Sequence, residues 1–385
     1  MTDDIFSPAL AELEEKGLLR HAVAFEECDG RTVTRNGKRY LLFCSNDYLG
    51  LSHDRRVKDA VKEAVERYGF GSGGSRLISG TRPPHEMLES GLKDFLGASA
   101  AILFNSGYCA NSGIIPAIAG KGDAILADRL NHASLVDGCL LSRAEFLRYP
   151  HRDMKGLEKL LLKTSSAKNR WIITDGLFSM DGDIAPLDEI CGLARTHDAR
   201  VYVDDAHAFG VLGEGGRGTP ALFGVEGGID LLVGTLGKAA GGMGAFATGS
   251  ASTIDFLLNR TRSFIFSTAM PPAVAAGNLK AVEILAGCRE ERKEFLGITS
   301  SFHTELKKLD IAMSAESYIM PVVVGGSKES LDAAKAFWDE GVYLQAVRPP
   351  AVPEGTARLR LTLSMAQRGE DRIVVLNAMK KIIRR

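Results

Sequence analysis

The sequence carries little net charge and no long run of one sign. Its 47 Lys and Arg residues almost balance 48 Asp and Glu residues, so that the formal net charge is −1 over 385 residues. Proteins that bind nucleic acid or an anionic membrane surface through charge usually show a basic run or patch. We therefore expect a small-molecule ligand, with no nucleic-acid partner and no membrane partner.

Paired cysteines and long apolar segments are also missing. No C-x-x-C pair occurs, so we expect neither a metal site nor a disulfide framework. No apolar run approaches the about 20 residues of a membrane-spanning helix. The start, MTDDIFSPALAELEEKG, lacks the basic and apolar regions of a secretory signal. These features favour a cytoplasmic protein. The six cysteines are Cys28, Cys44, Cys109, Cys139, Cys191 and Cys288.

Short apolar runs alternate with amphipathic stretches through the middle of the chain. Strands that are apolar nearly throughout and separated by helices indicate an α/β fold, with a mostly parallel central sheet covered by helices. In such sheets, ligands bind beyond the carboxyl ends of the strands. The predicted strands are AAILFNSG, DAILAD, RWIITDG, ARVYVDDAH and DLLVGT, and helices between them include MKGLEKLLLK and PLDEICGLARTHD. The unusual residue clusters all follow strand ends, at 105–108, 128, 175–179, 204–207 and 235–238.

The pattern changes towards both ends of the chain. The C-terminal part contains a strand YIMPVVVG, a helix SLDAAKAFWDEG and paired strands VYLQAV and ARLRLTL, which are typical of a smaller α+β domain. The N-terminal part contains a hairpin, RTVTRNGKRYLLF, with its turn at Asn36 and Gly37. We predict an N-terminal helix and hairpin segment at 1–45, a large domain at 46–275 and an α+β domain at 276–385.

One lysine, Lys238, lies in the glycine-rich stretch GTLGKAAGG directly after a predicted strand. A nucleotide P-loop needs four residues between its glycines and a Ser or Thr after the lysine. Here Gly234 and Gly237 enclose two residues, and Ala239 follows. A strand end with small neighbours suits a lysine that forms a Schiff base with a carbonyl compound. On this stretch alone, a surface lysine on a flexible turn is the alternative.

Asp204 and His207 follow another apolar strand, in VYVDDAH. An aspartate at a strand end can simply cap the next turn. However, a carboxylate just beyond a buried strand needs a cation or donors, and a protonated pyridine nitrogen would serve. A pyridinium held by aspartate remains an electron sink for carbanion chemistry. Asp204 and Lys238 together therefore point to pyridoxal 5′-phosphate (PLP) as the cofactor.

Two further stretches suit the rest of such a cofactor. Phosphate binds at helix N-termini, and the stretch 105–111 contains a glycine turn that leads into a helix, while Thr235 precedes the lysine. His132, in DRLNHASL, could stack on the cofactor ring. A histidine that bonds the backbone at a helix start is its alternative interpretation.

These residues lie in motifs that resemble the α-oxoamine synthases, fold-type I PLP-dependent transferases that condense an amino acid with an acyl-CoA and release CO2. The motifs span almost the whole chain: SNDYLGL, GSGGSR, DRLNHASL, TDGLFSMDGD, VDDAH, GTLGKA and FSTAMPP. The segment AVRPPAVPEGTARLRLTL is similar to the branch that uses L-alanine and pimeloyl-CoA in biotin biosynthesis. A carrier-protein thioester as acyl donor stays open. So do glycine with acetyl- or succinyl-CoA, serine with a long acyl chain, and a non-catalytic PLP-binding protein.

The resemblance also implies a role for individual residues. Lys238 would hold PLP and move protons, Asp204 would pair with the pyridine nitrogen, and His132 would stack over the ring. His207 and Ser179 would lie near the phenolic oxygen. The phosphate would be bound by Gly107, Tyr108 and Thr235, and by Ser267 and Thr268 from the neighbouring subunit of a homodimer. Substrate contacts would come from Arg20, Asn46, Arg348 and Arg360.

Arg360 has independent support from the strand pattern. Arg358 and Arg360 share one face of ARLRLTL by period two. The fork of an arginine suits a carboxylate, and we assign this role to Arg360 and a surface pair to Arg358. The glycine-rich stretch 69–76 follows a helix rather than a strand, so it is no dinucleotide fingerprint. Two residues depart from the family pattern: Ala351 replaces a frequent threonine and Asp175 a frequent glutamate.

Overall fold

A computed structural model describes residues 4–309 and 315–383. The chain forms two compact units. The small unit comprises Met1–Tyr48, Met180–Asp183 and Glu294–Arg385, and the large unit comprises Leu49–Ser179 and Ile184–Lys293. The division into consecutive segments that the sequence suggests stays a prediction. Within the described ranges, no helix combines the length and apolar character that crossing a membrane requires.

The strands and helices are numbered along the chain. The strands are β1 (Glu27–Cys28), β2 (Thr32–Arg35), β3 (Lys38–Leu42), β4 (Ala100–Phe104), β5 (Ala124–Asp128), β6 (Glu145–Tyr149), β7 (Arg170–Asp175), β8 (Arg200–Asp204), β9 (Leu231–Thr235), β10 (Ala245–Gly249), β11 (Ile319–Gly325), β12 (Val342–Tyr343), β13 (Ala346–Val347) and β14 (Ala357–Thr362). The helices are α1 (Ser7–Glu15), α2 (Arg55–Tyr68), α3 (Pro83–Leu96), α4 (Gly107–Ile118), α5 (Ala133–Ser142), α6 (Met154–Lys163), α7 (Leu187–Thr196), α8 (Thr219–Phe223), α9 (Ala251–Arg260), α10 (Arg262–Ile265), α11 (Pro272–Gly287), α12 (Arg289–Lys308), α13 (Ser327–Asp339) and α14 (Gly369–Ile382).

The large unit is built on a seven-stranded sheet of order β4-β10-β9-β8-β7-β5-β6. Strands β9, β8, β7, β5 and β6 run parallel, whereas β10 is antiparallel to both β4 and β9. The mostly parallel α/β sheet expected from the sequence is therefore confirmed. Strands β6 and β10 were not predicted, because EFLRY is only partly buried and AFATG consists mostly of small residues that give little strand signal.

Helices cover both faces of this sheet. Side chains alternate along each buried strand: Ile173 points into the core beneath α4 and α5, while Ile172 points into the core beneath α6 and α7. A third apolar cluster joins α2, α3 and α11 to β4 and β10. Each fully buried Ile or Leu side chain contributes about 1.5–3 kcal/mol through burial. The predicted helices MKGLEKLLLK and PLDEICGLARTHD are both present, as α6 and α7.

Parallel packing brings the carboxyl ends of the strands to one edge. Asp204 pairs with Asp175 across β8 and β7, and with Val233 across β8 and β9. Strand β4, which is antiparallel to β10, also ends at this edge, just before Asn105. The polar clusters that follow the predicted strands therefore lie at one edge of the sheet.

The small unit contains a four-stranded sheet of order β1-β2-β3-β12 and a three-stranded sheet of order β11-β14-β13. The predicted hairpin is confirmed: Arg35 pairs with Lys38, and Asn36 and Gly37 adopt φ values of 51° and 70°. The segment VYLQAV divides between the two sheets, since β12 pairs with β3 and only β13 pairs with β14. The expected pairing with ARLRLTL is thus correct only for its second half.

Candidate active site

Lys238 lies in a tight turn that connects β9 to β10. The carbonyl of Lys238 accepts from the amide of Gly241 at 2.8 Å, and the amide of Gly242 donates to Leu236 at 2.8 Å. Gly241 has a φ of +66°, and a Cβ there would lie 2.2 Å from the backbone nitrogen of Ser52. The glycines are therefore needed for the close approach of the backbone, and they hold the half-buried lysine in a defined place.

The two aspartates of VDDAH serve different purposes. The carboxylate of Asp204 is 4% exposed and accepts from the side-chain amide of Asn111 at 2.6 Å and from the amide of Ala206 at 3.0 Å. Asp205 turns the other way and accepts from the backbone and hydroxyl of Thr219 at 2.9 and 2.6 Å. Burial raises the pKa of Asp205 to about 7. Asp204 is therefore the aspartate placed at the cluster, while Asp205 fixes the following turn.

His132 begins α5, as a helix-start histidine that bonds the backbone. Its ring Nδ1 lies 2.8 Å from the Ser134 hydroxyl and 3.3 Å from the Ser134 amide. Part of the residue remains exposed. Desolvation by the surrounding protein lowers its pKa, the charge of Asp204 acts to raise it, and Lys238 acts to lower it. His132 thus lies within electrostatic reach of both Asp204 and Lys238.

Asp175 lies behind this group and is almost fully buried. Burial raises the pKa of its carboxyl group well above the usual range, and the neighbouring Asp204 charge adds to the effect. The backbone amide of His132 donates to Asp175 at 2.7 Å, and the amide of Asp175 donates to the side chain of Asn131 at 3.1 Å. Asp175 therefore holds the start of α5, which carries His132.

The N-terminus of α4 lies beside Thr235. The hydroxyl of Ser106 caps the helix by accepting from the amide of Cys109 at 3.1 Å. A Cβ on Gly107 would lie 2.7 Å from the methyl group of Thr235, so only glycine allows this contact without a shift. The first amide groups of a helix have no intrahelical acceptors and favour an anion. Gly107 and Thr235 are thus brought together as expected, while the Tyr108 hydroxyl bonds the carboxylate of Asp137.

The other predicted cofactor residues lie along the same sheet edge. His207 is buried in the turn after β8, and Ser179 follows β7 in the loop that leaves it. Thr268 forms a bridge with Ser75, and its carbonyl accepts from the side chain of Asn105 at 2.8 Å. Thr268 is exposed and Ser267 half-buried. Their roles in binding stay predictions.

In the small unit, Arg360 and Asn46 come together. The guanidinium of Arg360 donates to the side-chain oxygen of Asn46 at 3.0 Å, and the hydroxyl of Tyr48 lies 3.2 Å from the same oxygen. Arg358 is 5% exposed and forms an ion pair with Asp181 at 2.6 Å. The assignment of Arg358 to the surface was therefore wrong, because a carboxylate and the carbonyl of Met180 stabilise its buried charge.

Arg20 and Arg348 are neighbours in the small unit. Arg348 donates to the carbonyl groups of Gly17 and Leu19, and Arg20 donates to the carbonyl of Pro349 at 2.6 Å. Burial and the nearby Arg20 charge lower the pKa of Arg348. Both side chains thus bond main-chain carbonyls, which ties the N-terminal segment to the strand connection after β13. Ala351 is exposed nearby in sequence.

Residues 38–375 match the family Aminotransferase class I and II. A curated relative from Geobacter sulfurreducens, 8-amino-7-oxononanoate synthase, is 47% identical over 376 residues, which cover 97% of this chain and 96% of the relative. The chain belongs to the 8-amino-7-oxononanoate synthase family. A solved 8-amino-7-oxononanoate synthase from Francisella tularensis matches with a TM-score of 0.78 at 27% identity, covering 90% of this chain and 98% of that one. A solved SPT (serine palmitoyltransferase) with PLP matches with a TM-score of 0.93 at 33% identity, covering 98% and 97%.

Members of the 8-amino-7-oxononanoate synthase family are PLP-dependent acyltransferases with the fold-type I architecture, and this chain is one of them. Its residues fit the cofactor. A lysine in a turn closed by backbone hydrogen bonds, a buried carboxylate at the same sheet edge and a capped helix N-terminus in contact with Thr235 would suit the aldehyde, the ring nitrogen and the phosphate of PLP. The expected fold, cofactor and enzyme class are therefore confirmed.

Sequence reasoning missed two polar residues that contact this group, Asn111 and Ser134. Asn111 bonds Asp204 and Ser134, and Ser134 bonds the ring of His132. Asn111 lies one helical turn after Gly107, so its position on the face of α4 could have been inferred once the helix start was known.

Proposed function

We propose that the protein condenses L-alanine with a pimeloyl thioester to give 8-amino-7-oxononanoate. A carbon–carbon bond forms between the alanine Cα and the acyl carbonyl carbon, the thioester C–S bond breaks, and the alanine carboxylate leaves as CO2. The thiol carrier is CoA or a carrier protein. The observation that carries this proposal is 47% identity over 97% of the chain to a relative named for that product. The cluster of Lys238, Asp204 and His132 supplies the groups that such chemistry needs.

Bound PLP supplies an electron sink that makes the alanine α-proton acidic and allows the carboxylate to leave. We assign the amine of Lys238 to hold the cofactor and to accept and return the proton at Cα. The carboxylate of Asp204 would keep a proton on the pyridine nitrogen, because a neighbouring negative charge favours the protonated form. His132 would cover the ring face. His207 and Ser179 would bind the phenolic oxygen, while Gly107, Tyr108 and Thr235 would bind the phosphate.

Substrate recognition needs cationic groups, since alanine and the pimeloyl chain both end in a carboxylate. Arg360 is 8% exposed, and its guanidinium is oriented by Asn46. A buried arginine fork binds both oxygens of a carboxylate. We assign Arg360 and Asn46 to a substrate carboxylate, and Arg20 and Arg348 to further substrate contacts.

A panel of substrates tests the proposal. We expect kcat/KM to be highest for L-alanine with pimeloyl-CoA or a pimeloyl carrier protein. Glycine lacks one methyl group, and the loss of one such group in a fitted pocket costs about 10- to 200-fold. Glycine with acetyl- or succinyl-CoA, and serine with palmitoyl-CoA, complete the panel, with products identified by mass spectrometry. A higher kcat/KM for serine with palmitoyl-CoA would replace the proposal by the activity of the SPT relatives.

We also propose a twofold dimer in which each site receives Ser267 and Thr268 from the neighbouring subunit. Large apolar side chains of the large unit are exposed around this segment: Phe266 is 72% exposed, Ile78 85% and Phe70 91%. Contiguous exposed apolar residues mark interaction surfaces. A closed twofold interface would give two equivalent shared sites.

Mixing two inactive variants tests the sharing. One chain carries Lys238→Ala and the other Ser267→Ala with Thr268→Ala. After random exchange, half of the dimers are mixed, and in each of these one site has both lesions and the other has neither. About a quarter of wild-type activity should return. A mixture of Lys238→Ala and Asp204→Asn chains is the matched control, because both residues belong to one chain's cluster and no intact site can form. If the first mixture also stays inactive, the hydroxyls serve their own chain.

A further inference from the structure

Asn111 is a fully buried amide on α4 with no role in the proposed chemistry so far. Its side-chain nitrogen lies 2.6 Å from the carboxylate of Asp204 and 2.8 Å from the hydroxyl of Ser134. Its side-chain oxygen lies 2.7 Å from the hydroxyl of Tyr202. This buried asparagine of α4 thus has three polar side-chain partners, of which Asp204 and Tyr202 lie on β8 and Ser134 lies on α5.

The orientation of this amide follows from its partners. An ionised carboxylate only accepts, so the Asn111 nitrogen must face Asp204. Burial raises the pKa of Tyr202 well above its usual range, and its hydroxyl therefore keeps the proton that it donates to the Asn111 oxygen. The second proton of the amide nitrogen is then directed at Ser134, whose hydroxyl oxygen accepts it.

This arrangement leaves the proton of Ser134 available to His132. The Ser134 oxygen accepts from Asn111, so the hydroxyl proton is not used in that contact and can be donated to the Nδ1 atom of His132, which lies 2.8 Å away. The backbone amide of Ser134 also points at Nδ1, at 3.3 Å. Nδ1 therefore accepts, and the neutral His132 ring carries its proton on Nε2.

Close packing of helices α4 and α5 keeps the members of this network within hydrogen-bonding distance. A Cβ on Gly138 of α5 would lie 2.7 Å from the backbone oxygen of Asn111 and 2.8 Å from the side chain of Ile115. Helices α4 and α5 therefore touch through a glycine, so that Asn111 on one helix reaches Ser134 on the other. A buried and fully bonded network of this kind holds its members in one geometry.

We propose that Asn111 is a positioning residue that couples Asp204 to His132: it holds the carboxylate and, through Ser134, sets the Nε2-protonated tautomer of the histidine. The inference rests on the proposed roles of Asp204 and His132 at the two sides of the cofactor. It adds that one amide contacts the carboxylate directly and the histidine through Ser134.

The test is Asn111→Leu, which keeps the volume but removes the donors. In the full-length protein labelled with 15N-histidine, with and without PLP, NMR should show His132 as the Nε2–H tautomer in the wild type and as a tautomer mixture in the variant. A His132→Gln sample assigns the signal. We further expect kcat to fall about 10- to 100-fold, as for the loss of a hydrogen bond to a charged group. The KM for L-alanine should change much less.

Three companion variants make the result decisive. Ser134→Ala should disturb the His132 tautomer while leaving the contact between Asn111 and Asp204, and should therefore lower kcat less than Asn111→Leu. Ile115→Val, a buried neighbour on α4, should lower the melting temperature but leave the tautomer and kcat as in the wild type. For Asn111→Ala we expect the same changes in the His132 tautomer and in kcat as for Asn111→Leu. This variant replaces Asn111→Leu if the latter does not fold.

An unchanged His132 tautomer in the Asn111 variants overturns the proposal, whatever happens to kcat. The NMR measurement uses no amino acid and no thioester. Its result is therefore valid even if the substrates are not alanine and a pimeloyl thioester. A negative result in the substrate panel likewise does not change the expected tautomer.

Discussion

Replacement of Lys238 by alanine should reduce the acyltransferase rate by at least the about 100- to 10,000-fold that a positioned proton-transfer group supplies. The methyl group of alanine can neither hold the cofactor covalently nor exchange a proton at the substrate Cα. The turn itself should persist, since its hydrogen bonds join backbone atoms of Leu236, Lys238, Gly241 and Gly242. The melting temperature of the variant should accordingly stay near that of the wild type.

Borohydride reduction followed by peptide mapping locates the reactive lysine directly. In the wild-type protein loaded with PLP, we expect the label on Lys238. Lys121, an exposed lysine in the connection that precedes β5, is the matched control: Lys121→Ala should change neither the labelling nor kcat. Labelling of a different lysine, or a Lys238→Ala variant with wild-type turnover, would contradict the assignment of Lys238 as the lysine that holds PLP.

Lys238 and Asp204 could be predicted at one sheet edge because both follow uninterrupted apolar runs. Such runs form strands buried on both faces, and the parallel arrangement brings their carboxyl ends together. The structure confirms both strand ends, at Asp204 for β8 and Thr235 for β9. The chemical roles of the two side chains stay predictions, since they depend on what is bound there.

Strand β10 shows where the periodicity argument fails. Its residues, AFATG, are small and include only one large apolar side chain, Phe246, which packs towards α2, α3 and α11. The strand is formed by the two neighbours that it joins, β4 and β9, rather than by its own propensity. Tertiary context of this kind is invisible in a local window of sequence.

Polar contacts between residues that are far apart in the sequence also could not be predicted. Asn111 is 93 positions from Asp204 in the sequence, and Arg358 is 177 positions from Asp181. Neither pair has a spacing signature, because the fold alone brings the partners together. The assignment of Arg358 to the surface failed for this reason: alternation along β14 correctly placed both arginines on one face, but could not reveal that the whole strand is buried.

Asp204→Asn is expected to slow removal of the alanine α-proton about 100- to 1000-fold, the range found when one preorganised electrostatic group is removed from a site. A neutral amide cannot keep the pyridine nitrogen protonated, so the electron sink weakens. The hydrogen bonds change as well. The carboxylate accepts from two donors, Asn111 and Ala206, and an asparagine would have to point its own NH2 group at one of them.

Exchange of the alanine α-proton with D2O, followed by NMR, measures this step without any thioester. Asp205→Asn is the matched control, because it changes the adjacent carboxyl group, which bonds Thr219 instead. Its exchange rate should stay close to wild type. Equal exchange rates in Asp204→Asn and the wild type would show that another group holds the ring nitrogen.

The stability of Asp205→Asn should differ from that of the wild type, because burial raises the pKa of Asp205 from 3.8 to about 7. The folded state then binds more protons than the unfolded state between these values, and wild-type stability falls as pH rises through this window. Asp205→Asn should lose that dependence.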